Sequence, residues 1–308
     1  MVSRRSLTIL LLVILLTSCR TFDSTSPTPD PASELTPLPE SPTPKPDYVS
    51  QLRNGEYQLG LTDALKVVQL TDGKYETGTV GGTDYVSVTM TDFIVKGSFN
   101  GSGDIQYAAL VAENYGGSGT FVFLAVYADM NGTPKFTTSR IVDDRPQINE
   151  LSVSDANDIF LDAVTHDSED PMCCPTLTTT RHYRVDRLGH LVMTDYATFT
   201  PDGRPRTITI ESPTNGTEVF NSIQVKGSVD IAPFENNLVY RIVDVGGVEL
   251  AIGAITVTAP DLGAPGTFDQ TISLGNALTN AVIRLEVQDL SAKDGSLLGM
   301  DSVELVVK

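Results

Sequence analysis

Val282-Ile283-Arg284-Leu285-Glu286-Val287 sets apolar side chains at 283, 285 and 287 and charged ones between them. A period of two is the mark of a strand with one buried face and one outward face. Val239-Tyr240-Arg241-Ile242-Val243 repeats the pattern. With these two, residues 207–210, 223–229, 238–243, 248–258, 267–274, 282–288 and 302–307 make seven β-prone runs. Turn residues part them, at Asn215-Gly216, Asn236-Asn237, Gly246-Gly247, 263–266 and Lys293-Asp294-Gly295. Seven short strands in about 100 residues predict two sheets packed face to face. The stretch has no Trp and no cysteine pair to brace the sheets, so burial alone must hold it.

Thr200-Pro201-Asp202-Gly203-Arg204-Pro205 interrupts the chain just upstream and marks a domain boundary. Before it, residues 86–95, 105–112, 121–128, 136–141, 148–153 and 159–164 are again short β-prone runs. Asn100-Gly101 and Asn131-Gly132 fall between runs, where hairpin turns belong. Residues 182–185 and 190–193 flank a further turn at 186–189. One helix is expected near the start, since Leu61, Ala64, Leu65 and Val68 share a helical face and Thr62 or Asp63 could cap it. The predicted fold class is mainly β: an α+β domain over 48–200, then a seven-stranded immunoglobulin-like β-sandwich over 205–308.

The first residues carry an address. Arg4 and Arg5 precede a greasy run from Leu7 to Leu16, broken only by Thr8 and closed by Leu16-Thr17-Ser18-Cys19. A ten-residue apolar stretch is too short to span a bilayer core of about 30 Å. The order basic, apolar, small reads as an export signal. Ending on cysteine, residues 1–18 resemble a bacterial lipoprotein signal peptide. The resemblance implies diacylglycerol on the Cys19 sulfur, cleavage before Cys19 and often acylation of the new amine. A second acyl chain makes such anchoring stable. Residues 20–47 hold eight prolines among Ser, Thr and acidic residues, a composition that cannot bury enough surface to fold. Together with Cys19 they are expected to form a stalk (19–47), which fully extended would reach about 90 Å at about 3.1 Å per residue.

Formal charge is −18, and −20 without Arg4 and Arg5. A surface so acidic repels phosphate backbones, so nucleic acid is not expected as a partner. The expected partners are the membrane, through lipid on Cys19, and a cell-wall component or envelope protein. The expected location is extracytoplasmic, lipid-anchored to a membrane.

Two further resemblances concern the folded part. Ile210-Glu211-Ser212-Pro213 with Gly216 and Val219, Val225-Lys226-Gly227, Phe234-Glu235, Gly266-Thr267-Phe268 and Lys293-Asp294-Gly295 resemble the bacterial spore germination immunoglobulin-like domain. Phe234 then reads as a core plug, Glu235 as a strand-start residue, and 293–295 as the turn between the last two strands. The resemblance implies association with envelope and sporulation proteins and no catalytic residue. Gly116-Gly117-Ser118-Gly119, Asp144-Arg145 with Ile148, and Asp170 with Cys173-Cys174-Pro175 are similar to the LppP/LprE type of lipoprotein. That type implies export, with no chemistry for named residues.

Candidate chemistry is thin. Cys173 and Cys174 are a candidate vicinal disulfide; a thiolate metal site with His166 or His182, and plain packing of small sulfurs, are the other readings. Adjacent cysteines suit a metal poorly, because ligating pairs are usually spaced. Gly116-Gly117-Ser118-Gly119-Thr120 lacks the last glycine of a nucleophile elbow and reads as a Gly-rich turn. Asn100 to Asp104 and Asp143-Asp144 could offer oxygens to calcium, but without the full twelve-residue loop they read as solvated turns. Asn100, Asn131 and Asn215, each in Asn-X-Ser/Thr, also read as turns. Three histidines (His166, His182, His190) leave little for acid–base work. No catalytic residue, cofactor or metal is assigned. The expectation is a non-enzymatic binding and assembly lipoprotein. The alternatives are an extracytoplasmic hydrolase within 48–200, or a redox or metal sensor built on Cys173-Cys174.

Overall fold

The computed structural model describes residues 47–61, 66–274 and 281–308. The expected signal, Cys19 and nearly all of the expected stalk lie outside the described residues. Asp47 caps the first element, its carboxylate accepting the Ser50 N–H at 2.8 Å, and α1 (Tyr48–Arg53) runs from it with Leu52 buried. The helical spacing over 61–68 ends in a strand instead. Residues 62–65 lie outside the described residues, and β2 (Val67–Gln69) pairs antiparallel with β1 (Glu56–Gln58). Adjacent valines favour extended backbone, and a period of two sends Val68 and Leu70 into the core beside Tyr57. The helix near the start is therefore α1.

Strands β3 (Lys74–Thr77), β4 (Val86–Gly97), β5 (Gln106–Asn114), β6 (Phe121–Asp129) and β7 (Pro134–Asp144) form an antiparallel five-stranded meander in chain order. Strand β5 is buried almost end to end, because the sheet is covered on both faces. Tyr107, Ala109 and Val111 pack towards α1, β1 and β2. Ala108 and Leu110 pack towards a second sheet. Asn131 and Gly132, both at positive φ, form the two-residue hairpin that joins β6 to β7.

The second sheet begins with β8 (Gln147–Val153), β9 (Ile159–Thr165), β10 (Leu177–Val185) and β11 (Leu191–Thr198). The C-terminal strands are β12 (Ile208–Ser212), β13 (Thr217–Val219), β14 (Ser222–Val229), β15 (Asn237–Asp244), β16 (Glu249–Thr256), β17 (Gly266–Ser273), β18 (Ala281–Leu290) and β19 (Leu297–Val307). A strand overlaps each of the seven expected runs, and β13 is an eighth. Strands β12, β14 and β17 make a small sheet of their own. The others join one long sheet in the order β16-β15-β18-β19-β11-β10-β9-β8, with β13 parallel to β19.

Register shows how the long sheet serves two cores. Leu161, Arg181, Tyr196, Met300 and Gln288 are successive partners across β9, β10, β11, β19 and β18, so they share a face. Leu161 belongs to the core under the five-stranded sheet. The next row, Phe160, His182, Asp195, Asp301 and Val287, lies on the opposite face. Val287 belongs to the core under the three-stranded sheet. One sheet thus carries a sandwich on each side, staggered along its length. Strands β11 and β19 join through the pairs Asp195–Asp301, Tyr196–Met300 and Ala197–Gly299, and Lys45–Lys308 forms one unit.

Phe234 is not the core plug expected. It sits in a 3-10 turn, Phe234–Asn236, in which Glu235 and Asn236 take positive φ, and it is 61 % exposed. Glu235 precedes β15 within that turn. Phe268 fills the core instead, packed over Gly227, where a Cβ would overlap both the ring and the Thr209 carbonyl.

Candidate functional site

The staggered sandwiches leave an inner corner. The outward residues of β15, β18 and β19 face the same side as the five-stranded sheet, and β7 brings Arg140 up to them, enclosing a cavity of about 360 Å³. Its floor is apolar, from Val192, Met193, Val243, Leu297 and Met300. Its polar wall holds Arg140, Arg241 and Arg284 with Asp186, Asp244, Glu286 and Glu304. A neighbouring hollow of about 200 Å³ shares Arg284, Asp186 and Glu304 and adds Arg184 and Arg187. Five arginines and no lysine line the two, in a chain of net charge −18.

The wall carboxylates are occupied. Asp186 accepts the Leu188 and His190 N–H groups at 2.9 and 2.8 Å. Asp244 accepts Gly246 and Val248 N–H, both at 2.8 Å. Glu286 accepts the Gln288 amide at 2.8 Å and meets Arg241 at 3.5 Å. Glu304 pairs with Arg187 at 2.7 Å. The guanidinium of Arg284 reaches Glu304 only at 3.9 Å, beyond hydrogen-bond range, though just 12 % of its side chain is exposed. Burial pulls Arg284 below its ordinary pKa, against the opposing pull of Glu304 and Glu286. Arg140 has no side-chain partner among the described residues.

A second cluster gathers Asp144, Arg145, Asp170 and the paired cysteines, the residues that resemble the LppP/LprE type. Asp144 accepts the Thr120 N–H at 2.7 Å and pairs with Arg145 at 2.7 Å. Asp143 accepts the His166 backbone N–H at 2.5 Å and meets its Nδ1 at 3.0 Å. Burial opposes protonation of His166, but Asp143 and Asp144 hold its pKa above the ordinary value. Asp170 ties its own loop by accepting the Asp167 and Thr176 N–H groups at 2.9 and 2.7 Å. Cys173 and Cys174 are disulfide-bonded on the exposed part of that loop. Ser168 and Glu169 dock it on the 291–296 turn, through Asp294 at 2.9 Å and Lys293 at 2.6 Å.

The other candidates scatter. His182 meets Asp195 and His190 meets Asp186, each at 3.2 Å, on different strands and turns. Ser118 is exposed and forms no hydrogen bond to a histidine among the described residues. The Ser102 hydroxyl bonds the side chains of both Asn100 and Asp104. No group of three metal-ligating side chains occurs among the described residues. Sequence reading passed over Arg140, Arg284 and Asp301. Arg284 had a signal, as the outward residue of an alternating strand, but nothing local says that this outward face is roofed.

Residues 207–296 match the family described as the immunoglobulin-like domain of bacterial spore germination. That stretch is an immunoglobulin-like β-sandwich domain. No curated protein matches the chain. The immunoglobulin-like domain supplies Arg241 and Arg284 to the cleft, while Arg140 and the Val192–Met193 floor come from the preceding half. No helix among the described residues is long and apolar enough to cross a membrane.

Proposed function

We propose that this chain is a cell-envelope lipoprotein, held outside the cytoplasmic membrane by lipid on Cys19, whose folded part is a non-enzymatic binding and assembly module. The cleft under the immunoglobulin-like sheet carries the reading: a concave, partly apolar site with under-paired guanidiniums is built to hold a ligand. The export-like leader ending at Cys19 and the proline-rich stalk support the location. The three histidines support a non-catalytic role, since each engages a separate aspartate and none is hydrogen-bonded to a hydroxyl or thiol among the described residues. Growth with an alkyne-tagged fatty acid tests the anchor. Wild type should label and sediment with membranes, and Cys19→Ser should do neither; an unlabelled wild type would defeat the reading. Robust hydrolase activity that disappears in Ser118→Ala or His166→Ala would defeat the non-enzymatic part.

A further inference from the structure

Three features of the cleft specify an occupant. First, among the described residues, Arg284 is a nearly buried fork of five N–H donors without a hydrogen-bonded acceptor, and Arg140 faces the same space without a side-chain partner. Such a fork fits a planar carboxylate. Four carboxylates stand in the same wall, so a singly charged anion is repelled less than a phosphate dianion, and the net charge of −18 disfavours an anionic polymer. Second, the floor of Val192, Met193, Val243, Leu297 and Met300 offers apolar area beside that charge. Third, Arg140 lies on β7, the edge strand of its sheet, and, among the described residues, 138–141 make no backbone hydrogen bonds beyond those to β6. An open strand edge next to a carboxylate site suits an extended peptide backbone.

We propose that the cleft binds the free C-terminal carboxylate of a short peptide, with Arg284 and Arg140 holding the carboxylate and the last side chain lying on the apolar floor. The proposal rests on the binding-module reading and names its ligand class. Calorimetric titration of the full-length chain in detergent tests it, using N-acetyl dipeptides ending in alanine, leucine or phenylalanine, each as carboxylate and as amide. At least one carboxylate is expected to bind about tenfold more tightly than its amide. Arg284→Gln should remove that preference, and so should Arg140→Gln, which changes an exposed side chain and leaves the fold intact. Arg53→Gln, remote from the cleft and paired with Asp92, should leave binding unchanged. Equal binding of acid and amide, unchanged binding in both cleft variants, or no binding at millimolar peptide would each overturn the proposal. Any of these would leave the Cys19 labelling result standing, so the two failures are separable.

Discussion

Asp301 shows what one residue inherits from its neighbours. Alone, a carboxylate between Met300 and Ser302 reads as an ordinary strand residue. In the fold, burial raises its pKa to about 7, with Asp195 adding to the shift while the Ile210 N–H at 2.6 Å opposes it. Folded chains therefore hold a proton here that unfolded chains release near pH 4. Stability must then fall as pH rises from about 4 to 7, by on the order of 3 kcal/mol for this group. The His182–Asp195 pair acts in the same direction near neutrality, because its raised histidine pKa gives stability at low pH that is lost as the proton leaves. Urea unfolding at several pH values should show Asp301→Asn flattening the decline. An unchanged slope would refute this account. Glu113 is a comparable case: it reads as a strand carboxylate, yet is wholly buried, accepting the Tyr57 and Tyr115 hydroxyls, each at 2.5 Å.

Single elements were the most legible scale, because strand period and turn chemistry act over a few residues. Asn131-Gly132 forms its hairpin because both residues tolerate positive φ. Failures arose where tertiary contact overrode local pattern. Residues 61–68 show helical spacing, but Val68 has a strand partner in Tyr57 that the local sequence does not reveal. Phe234 reads as a core plug within the germination-domain resemblance, but the turn at Glu235 and Asn236 leaves it exposed. Gly227 is the clearest element-level requirement, since Phe268 and the Thr209 carbonyl occupy the space of a side chain there. Gly227→Ala should lower stability by about 2 kcal/mol, as overpacking does, while Gly247→Ala, which meets open space at positive φ, should cost about 1 kcal/mol. Thermal melts of the two variants would decide; equal losses would contradict the packing argument.

At the scale of the molecule, the decisive feature is the joint at β11 and β19. Thr198 donates to the Leu298 carbonyl at 2.7 Å, Ser302 donates to the Thr194 carbonyl at 3.1 Å, and Arg206 meets Asp289 at 3.5 Å. Two sandwiches sharing a sheet should lose order together. Calorimetry is expected to give one unfolding transition, with the residues on either side of the 200–205 loop melting at one temperature. Two resolved transitions would mean that the joint carries little energy. The same joint creates the cleft, because the stagger it fixes places the outward face of β18 beside β7.

By itself, the sequence determined the strands, most of the turns and the resemblance of its last third to a germination-type sandwich. These depend on alternation and backbone preference, which neighbouring residues decide. Only the tertiary structure decided that both halves share one sheet, that their cores take opposite faces, and that Arg140, 144 positions before Arg284, lines the same cavity. Strand pairing between distant segments follows from hydrogen bonding and burial over the whole chain, and no local pattern encodes which edge meets which.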